Sequence, residues 1–142
     1  MKFKKTSLFI ALKKTFYVCF PEDGIQHDGE KEIAAALKID QDTTLKWLKS
    51  WLLSSREPWF RANLLMLLSR FPEIGDSVWR RKVVEASLAS KFIEVRDPAL
   101  VAAESWGDCW DIVEDYVALE EVDYLRRYAE DIIEDQKIRR SS

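Results

Sequence analysis

The sequence predicts an all-α fold of antiparallel helical hairpins stacked side by side, and three observations carry that expectation. Apolar residues recur at helical spacing along almost the whole chain, and the breaks between runs carry helix-stop residues. Glycine and proline number only four each in 142 residues, too few for the turns of an all-β protein. A short pattern also recurs: "PWFRANLLMLL" from Pro58, "IEVRDPALVAA" from Ile93 and "DYLRRYAEDII" from Asp123 each set an apolar residue directly before arginine, then continue as a helical apolar run. One domain is expected, since a chain of roughly 150 residues buries about 70% of its extended surface on folding.

The helices follow in order. The opening "MKFKKTSLFIALKKTFYVCF" has the basic start of a secretory signal, but Lys13 and Lys14 split its apolar run and no small-residue cleavage site follows. It reads instead as an amphipathic helix over about 6–20, stopping before Pro21. "PEDGIQHDG" is a polar loop. "EKEIAAALKI" and "TTLKWLKSWLLSS" form a helix pair joined by "DQD", with Asp42 as the cap because its carboxylate can accept from free first-turn amides. Helices over about 58–71, 77–90, 97–106, 108–118 and 122–136 complete the chain, with turns at "PEIGD" and "GD". In the first two copies the arginine helix is followed by Gly75 or Gly107, Asp76 or Asp108, Trp79 or Trp110, and a second amphipathic helix. Residues 1–54 are thus read as helices capping the stack, 55–136 as the hairpins and 137–142 as a short basic tail.

Such a hairpin cannot cover its own apolar face, so stacking builds a continuous core, and periods of about 30–47 residues mark α-solenoids. "EVRDPALVAAESWGD" and "LRRYAEDIIED" resemble HEAT repeats, and the likeness covers about 55–135. It implies a short HEAT-like α-solenoid used as a binding surface, without naming the ligand. Pro98 departs from the pattern. Proline sits most easily in the first turn of a helix, which puts the start at Asp97 and leaves Arg96 just outside. Arg61, Arg96 and Arg126 are read as scaffold residues whose planar forks pair with acidic neighbours.

The net charge of −3 conceals a gradient. Residues 103–135 hold two basic and twelve acidic residues (−10), and the tail adds three basic ones. Placing Trp110, Val113, Tyr116 and Val117 inward on the helix "DCWDIVEDYVALEEVD" turns Asp111, Glu114 and Asp115 outward. Asp108, Glu121 and Asp123 in the adjoining turns extend that face, and Trp106 and Trp110 beside "GDC" are the aromatic anchors a partner could grip. The other tryptophans fall on core stripes.

These features predict a protein-binding HEAT-like module with a basic protein partner. Its concrete form is an immunity or antitoxin-type inhibitor that occludes a basic toxin or nuclease, charge speeding the encounter. A second reading is a helix-turn-helix DNA-binding regulator using residues 32–52, with "IAAAL", "KIDQD" and "TTLKWLKSWL" as helix, turn and recognition helix. Lys38 and Thr44 depart from that motif, and Asp40 and Asp42 would set carboxylates against phosphates. A third is a glycosylase-like enzyme, which needs a basic groove. His27 has no adjacent cysteine nucleophile, and no phosphate loop, nucleophile elbow or metal-ligand spacing occurs, so no catalytic residue, cofactor or metal is expected. Cys19 and Cys109 are unpatterned and no run approaches ~20 apolar residues, so a cytoplasmic protein without nucleic-acid or membrane partners is expected, its oligomeric state open.

Overall fold

A computed structural model describes residues 4–22 and 25–141; the first three residues, Asp23 and Gly24 of the expected loop, and Ser142 of the expected tail lie outside the described residues. Among those described, all regular structure is helical, in eight helices. Helix α1 (Lys5–Val18) buries Leu8, Leu12 and Phe16, one residue per turn, and ends before Pro21. Its Phe16 ring lies 5.7 Å from Phe60 and stands edge-on to Trp59, while Lys13 pairs with Glu57 at 2.8 Å. An aromatic cluster therefore joins the first helix to α4 (Pro58–Leu68).

Helix α2 (Asp28–Ile39) begins at a histidine cap. The Gly29 amide donates to His27 Nδ1 at 2.9 Å, and the His27 amide donates to the Glu30 carboxylate at 2.6 Å, satisfying two first-turn donors at once. With Nδ1 accepting, Nε2 carries the proton and faces the Cys19 carbonyl at 2.7 Å, which ties the end of α1 to the start of α2. Helix α3 (Gln41–Ser54) is capped by Asp40 and not by Asp42: Oδ1 accepts from the Thr43 amide at 3.1 Å. Because α2 runs to Ile39, only one residue separates the helices, and the free amides start earlier than a "DQD" linker would leave them.

Two further boundaries differ from expectation. Helix α6 (Ile93–Trp106) starts four residues before Asp97, so Pro98 lies inside it and Arg96 is helical. Proline there removes the bond to the Glu94 carbonyl, yet burial of Val95 and an ion pair of Arg96 hold the extra turn in place. Helix α8 (Asp123–Ser141) absorbs most of the expected tail. Nothing between Gln136 and Ser141 breaks a helix, and Arg139 and Arg140 suit the negative end of its dipole.

With α5 (Ser77–Leu88) and α7 (Trp110–Val117), the helices form two rows. α4 packs on α6 and α6 on α8, while α3 packs on α5 and α5 on α7, so the helices bearing Arg61, Arg96 and Arg126 are successive neighbours. This packing is consistent with stacked hairpins, though α6 is in closer contact with the preceding α5 than with the following α7. The eight-residue connection between α4 and α5 lets those two splay, whereas four residues join α5 to α6. α4 and α6 form the centre of the core. Phe60, Leu64, Leu65, Leu67 and Leu68 of α4 and Ala99, Leu100, Ala102 and Ala103 of α6 are buried, and the three alanines let the axes approach.

Candidate functional site

Four arginines occupy the same place in their helices: Arg61 in α4, Arg80 in α5, Arg96 in α6 and Arg126 in α8 are each the fourth residue. A fourth-residue side chain points back over the preceding connection. Accordingly Arg80, Arg96 and Arg126 each donate to the carbonyl six residues earlier, those of Ile74, Ser90 and Glu120, at 3.1, 3.1 and 3.2 Å. The guanidinium then reaches forward along its own row. Arg80 pairs with Asp108 at 2.8 Å, in the turn that leads to α7, and Arg96 pairs with Glu120 at 2.8 Å, in the turn that leads to α8. Arg126 instead pairs with Asp123 and Glu130 of its own helix. Arg61 has no carboxylate in the 89–92 connection to reach, and its Nε is buried without a hydrogen bond.

Glu120 is the most enclosed of these acids, with a side chain only 2% exposed. Burial alone would raise its carboxyl, but hydrogen bonds from Arg96, the Tyr116 hydroxyl and the Val122 amide outweigh that and hold it below the usual carboxylate range. Asp108 follows the same logic: burial pushes it up, and Arg80 and other donors bring it below its ordinary value. Asp111 forms a two-bond pair with Arg81, at 2.7 and 2.6 Å, and hydrogen bonding from that guanidinium lowers its carboxyl. Much of the acidic region is therefore already neutralised by the scaffold.

What remains free is narrower than the expected face. Glu114, Asp115 and Glu121 are exposed and form no ion pair with any described residue, whereas Asp123 is exposed but bound to Arg126. Trp106 is not a surface anchor. It is 8% exposed, packs edge-on against Trp79 at 6.2 Å and donates its indole N–H to the Phe71 carbonyl, because its position ends a helix whose other face is solvated. Trp110 is half-buried beneath Arg140, whose guanidinium carbon lies 3.8 Å from the ring centroid. The expected outward position of Asp111 is half-covered by its arginine.

Asp115 also lines a cleft of about 260 Å³ between α5 and α7. Its walls are Leu88 and Ala89 on one side and Ile112, Tyr116 and Leu119 on the other, and the exposed Glu85 and Asp115 also line it, one from each helix. Leu119, just past the end of α7, is 80% exposed. Glu85, Leu88, Ala89 and Leu119 were not legible as a site, because pairing of α5 with α7 is a tertiary event. The available signal was an exposed stripe on α5 that mixes Val78, Lys82, Glu85 and Ala89 at helical spacing.

The N-terminal helix pair holds its expected positions without forming an isolated motif. Thr44 is buried and donates its hydroxyl to the Ala36 carbonyl at 2.9 Å, while the Trp79 indole donates to the Leu45 carbonyl and brings α5 alongside α3. Lys46 remains exposed and Lys49 half-exposed. Cys109 is buried, and burial pushes its thiol up to about 12, far from a thiolate at neutral pH. Among the described residues no group of three or more histidine, cysteine or acidic side chains converges as a metal site, and no helix is long and apolar enough to cross a membrane. The chain matches no known protein family, no curated protein and no solved structure.

Proposed function

We propose that this chain is a protein-binding module of HEAT-like character whose partner presents a basic surface, the form that an immunity or antitoxin-type inhibitor takes. One observation carries the reading: Glu114, Asp115 and Glu121 stand exposed and without an ion pair among the described residues, and Asp115 also lines an open apolar cleft, while Asp108, Asp111 and Glu120 are matched by arginines. A scaffold that balances Asp108, Asp111 and Glu120 so closely leaves these three as uncompensated negative charge, which attracts a cationic partner and speeds its approach. The apolar floor supplies the burial that charge alone does not.

The test uses a triple reversal, Glu114→Lys, Asp115→Lys and Glu121→Lys, with Asp111 left intact because reversing it would also break its pair with Arg81. Wild type and variant are used side by side to capture partners from the native host, and the captured protein is then measured by surface plasmon resonance at two salt concentrations. The reversed protein should associate at least about tenfold more slowly at low salt and lose most of the salt dependence. Its thermal stability should change little, since exposed substitutions stay within about 0.5 kcal/mol. Equal association rates would reject the reading.

A further inference from the structure

The cleft between α5 and α7 also constrains the shape of what fills it. It lies between two helices, and no strand occurs among the described residues, so it offers no sheet edge for an incoming segment to pair with. An extended segment laid there would find no strand to pair with, and each of its amides or carbonyls buried without a partner would cost roughly 1–3 kcal/mol. A helix brings its backbone already satisfied. The α7 side presents Ile112, Tyr116 and Leu119 at spacings of four and three residues, a stripe that a second helix can meet along about two turns. Glu85 rises on the α5 side and Asp115 on the α7 side, and neither has an ion-pair partner among the described residues, so an occupant lying in the cleft is flanked by negative charge on both edges.

The geometry points to a basic amphipathic helix as the occupant: an apolar stripe seated against Leu88, Ile112 and Leu119, with lysine or arginine on both flanks meeting Glu85 and Asp115. This rests on the basic-partner reading and adds the partner's secondary structure and the residues that grip it. Charge complementarity chooses the sign, and the absence of a sheet edge chooses the helix.

Three synthetic helical peptides of about 16 residues, long enough to hold helix in water, provide the probes. The first has leucine at i, i+4 and i+7 with lysine on both flanks; the second replaces leucine by serine; the third replaces lysine by glutamate. Each is titrated into the full ¹⁵N-labelled chain. The leucine–lysine peptide should shift the amides of Ala89, Ile112 and Leu119. Its affinity should fall at least about tenfold when its leucines become serine or when the protein carries Leu119→Ser, the loss expected for an apolar side chain left unburied. Leu119 is exposed, so that variant keeps the fold. The glutamate peptide should not bind. Equal binding of serine–lysine and leucine–lysine peptides would overturn the cleft while sparing the basic-partner reading. Shifts confined to α3 would also overturn it, and no response to either lysine peptide would reject both.

Discussion

At the residue scale, the arginines show how one side chain type serves unequal ends in equivalent positions. Arg96 neutralises an enclosed Glu120, so Arg96→Met should destabilise by about 3–5 kcal/mol in urea denaturation, because it leaves a buried carboxylate without its cation. Arg61 stands at the same place in α4 but has a buried Nε with no partner, and burial pulls its guanidinium below the usual range. Arg61→Met should therefore lie within about 1 kcal/mol of wild type, or above it. A similar loss in both variants would contradict this contrast. The pairing of Arg96 and Arg126 with acids could be read from the sequence because each follows an apolar residue ahead of a helical run, but Arg61 shares that pattern and has no carboxylate partner, and the pairing of Arg80 was not expected. The partners themselves could not be read, since Asp108 and Glu120 lie more than twenty residues away and are chosen by how the rows pack.

Helix boundaries depend on short-range chemistry, and here the two glycine turns separate. Gly75 and Gly107 both have positive φ, 63° and 74°, as their place after an arginine helix led one to expect. A methyl group on Gly75 would meet the Trp79 indole at 3.0 Å, whereas on Gly107 it would find its nearest neighbour, Gln136 Nε2, at 3.9 Å. Gly107→Ala should thus show only the backbone penalty of about 1 kcal/mol, and Gly75→Ala about 2 kcal/mol or more, as thermal melts of the two variants would show. The aspartates after them diverge too. Asp76 caps α5 by accepting the Trp79 amide at 2.8 Å, while Asp108 serves Arg80 and leaves α7 without a side-chain cap. Local pattern identified the turn but not which partner its aspartate takes. The start of α6 was misjudged for a related reason: the rule for Pro98 is local, and the burial and ion pairing that overrule it are not.

For the molecule as a whole, the balance of charge sets a dependence on pH. Glu120, Asp108 and Asp111 all have folded values below the ordinary carboxylate range, so the folded state binds fewer protons than the unfolded chain as acid is added. Their stabilisation is complete above about pH 4–5 and is lost as pH falls through the lowered folded values. Asp97 opposes them, since burial raises it and its protonation gives a little stability back. Urea midpoints measured from pH 7 down to pH 2 should fall most steeply below about pH 4, and Glu120→Gln should be less stable at neutral pH with a shallower fall. An unchanged slope in that variant would show that Glu120 is not among the groups responsible. The all-helical class and the concentration of acid near α7 were legible from periodicity and composition. Which acids stay free was not, because that is decided by arginines on α5 and α6.

The forward reach of those arginines also gives the chain a direction in time. A ribosome delivers Arg80 before Asp108 and Arg96 before Glu120, so each guanidinium emerges ahead of the carboxylate that will hold it. While only the first 107 residues have left the tunnel, neither arginine has its acid, and α5 and α6 lie against neighbours that nothing ionic yet secures. The turn before α7 fastens α5, and the turn before α8 fastens α6. Cutting the chain before Glu120 would thus loosen a helix that begins 27 residues upstream of it, and each later turn locks a helix that was made before it.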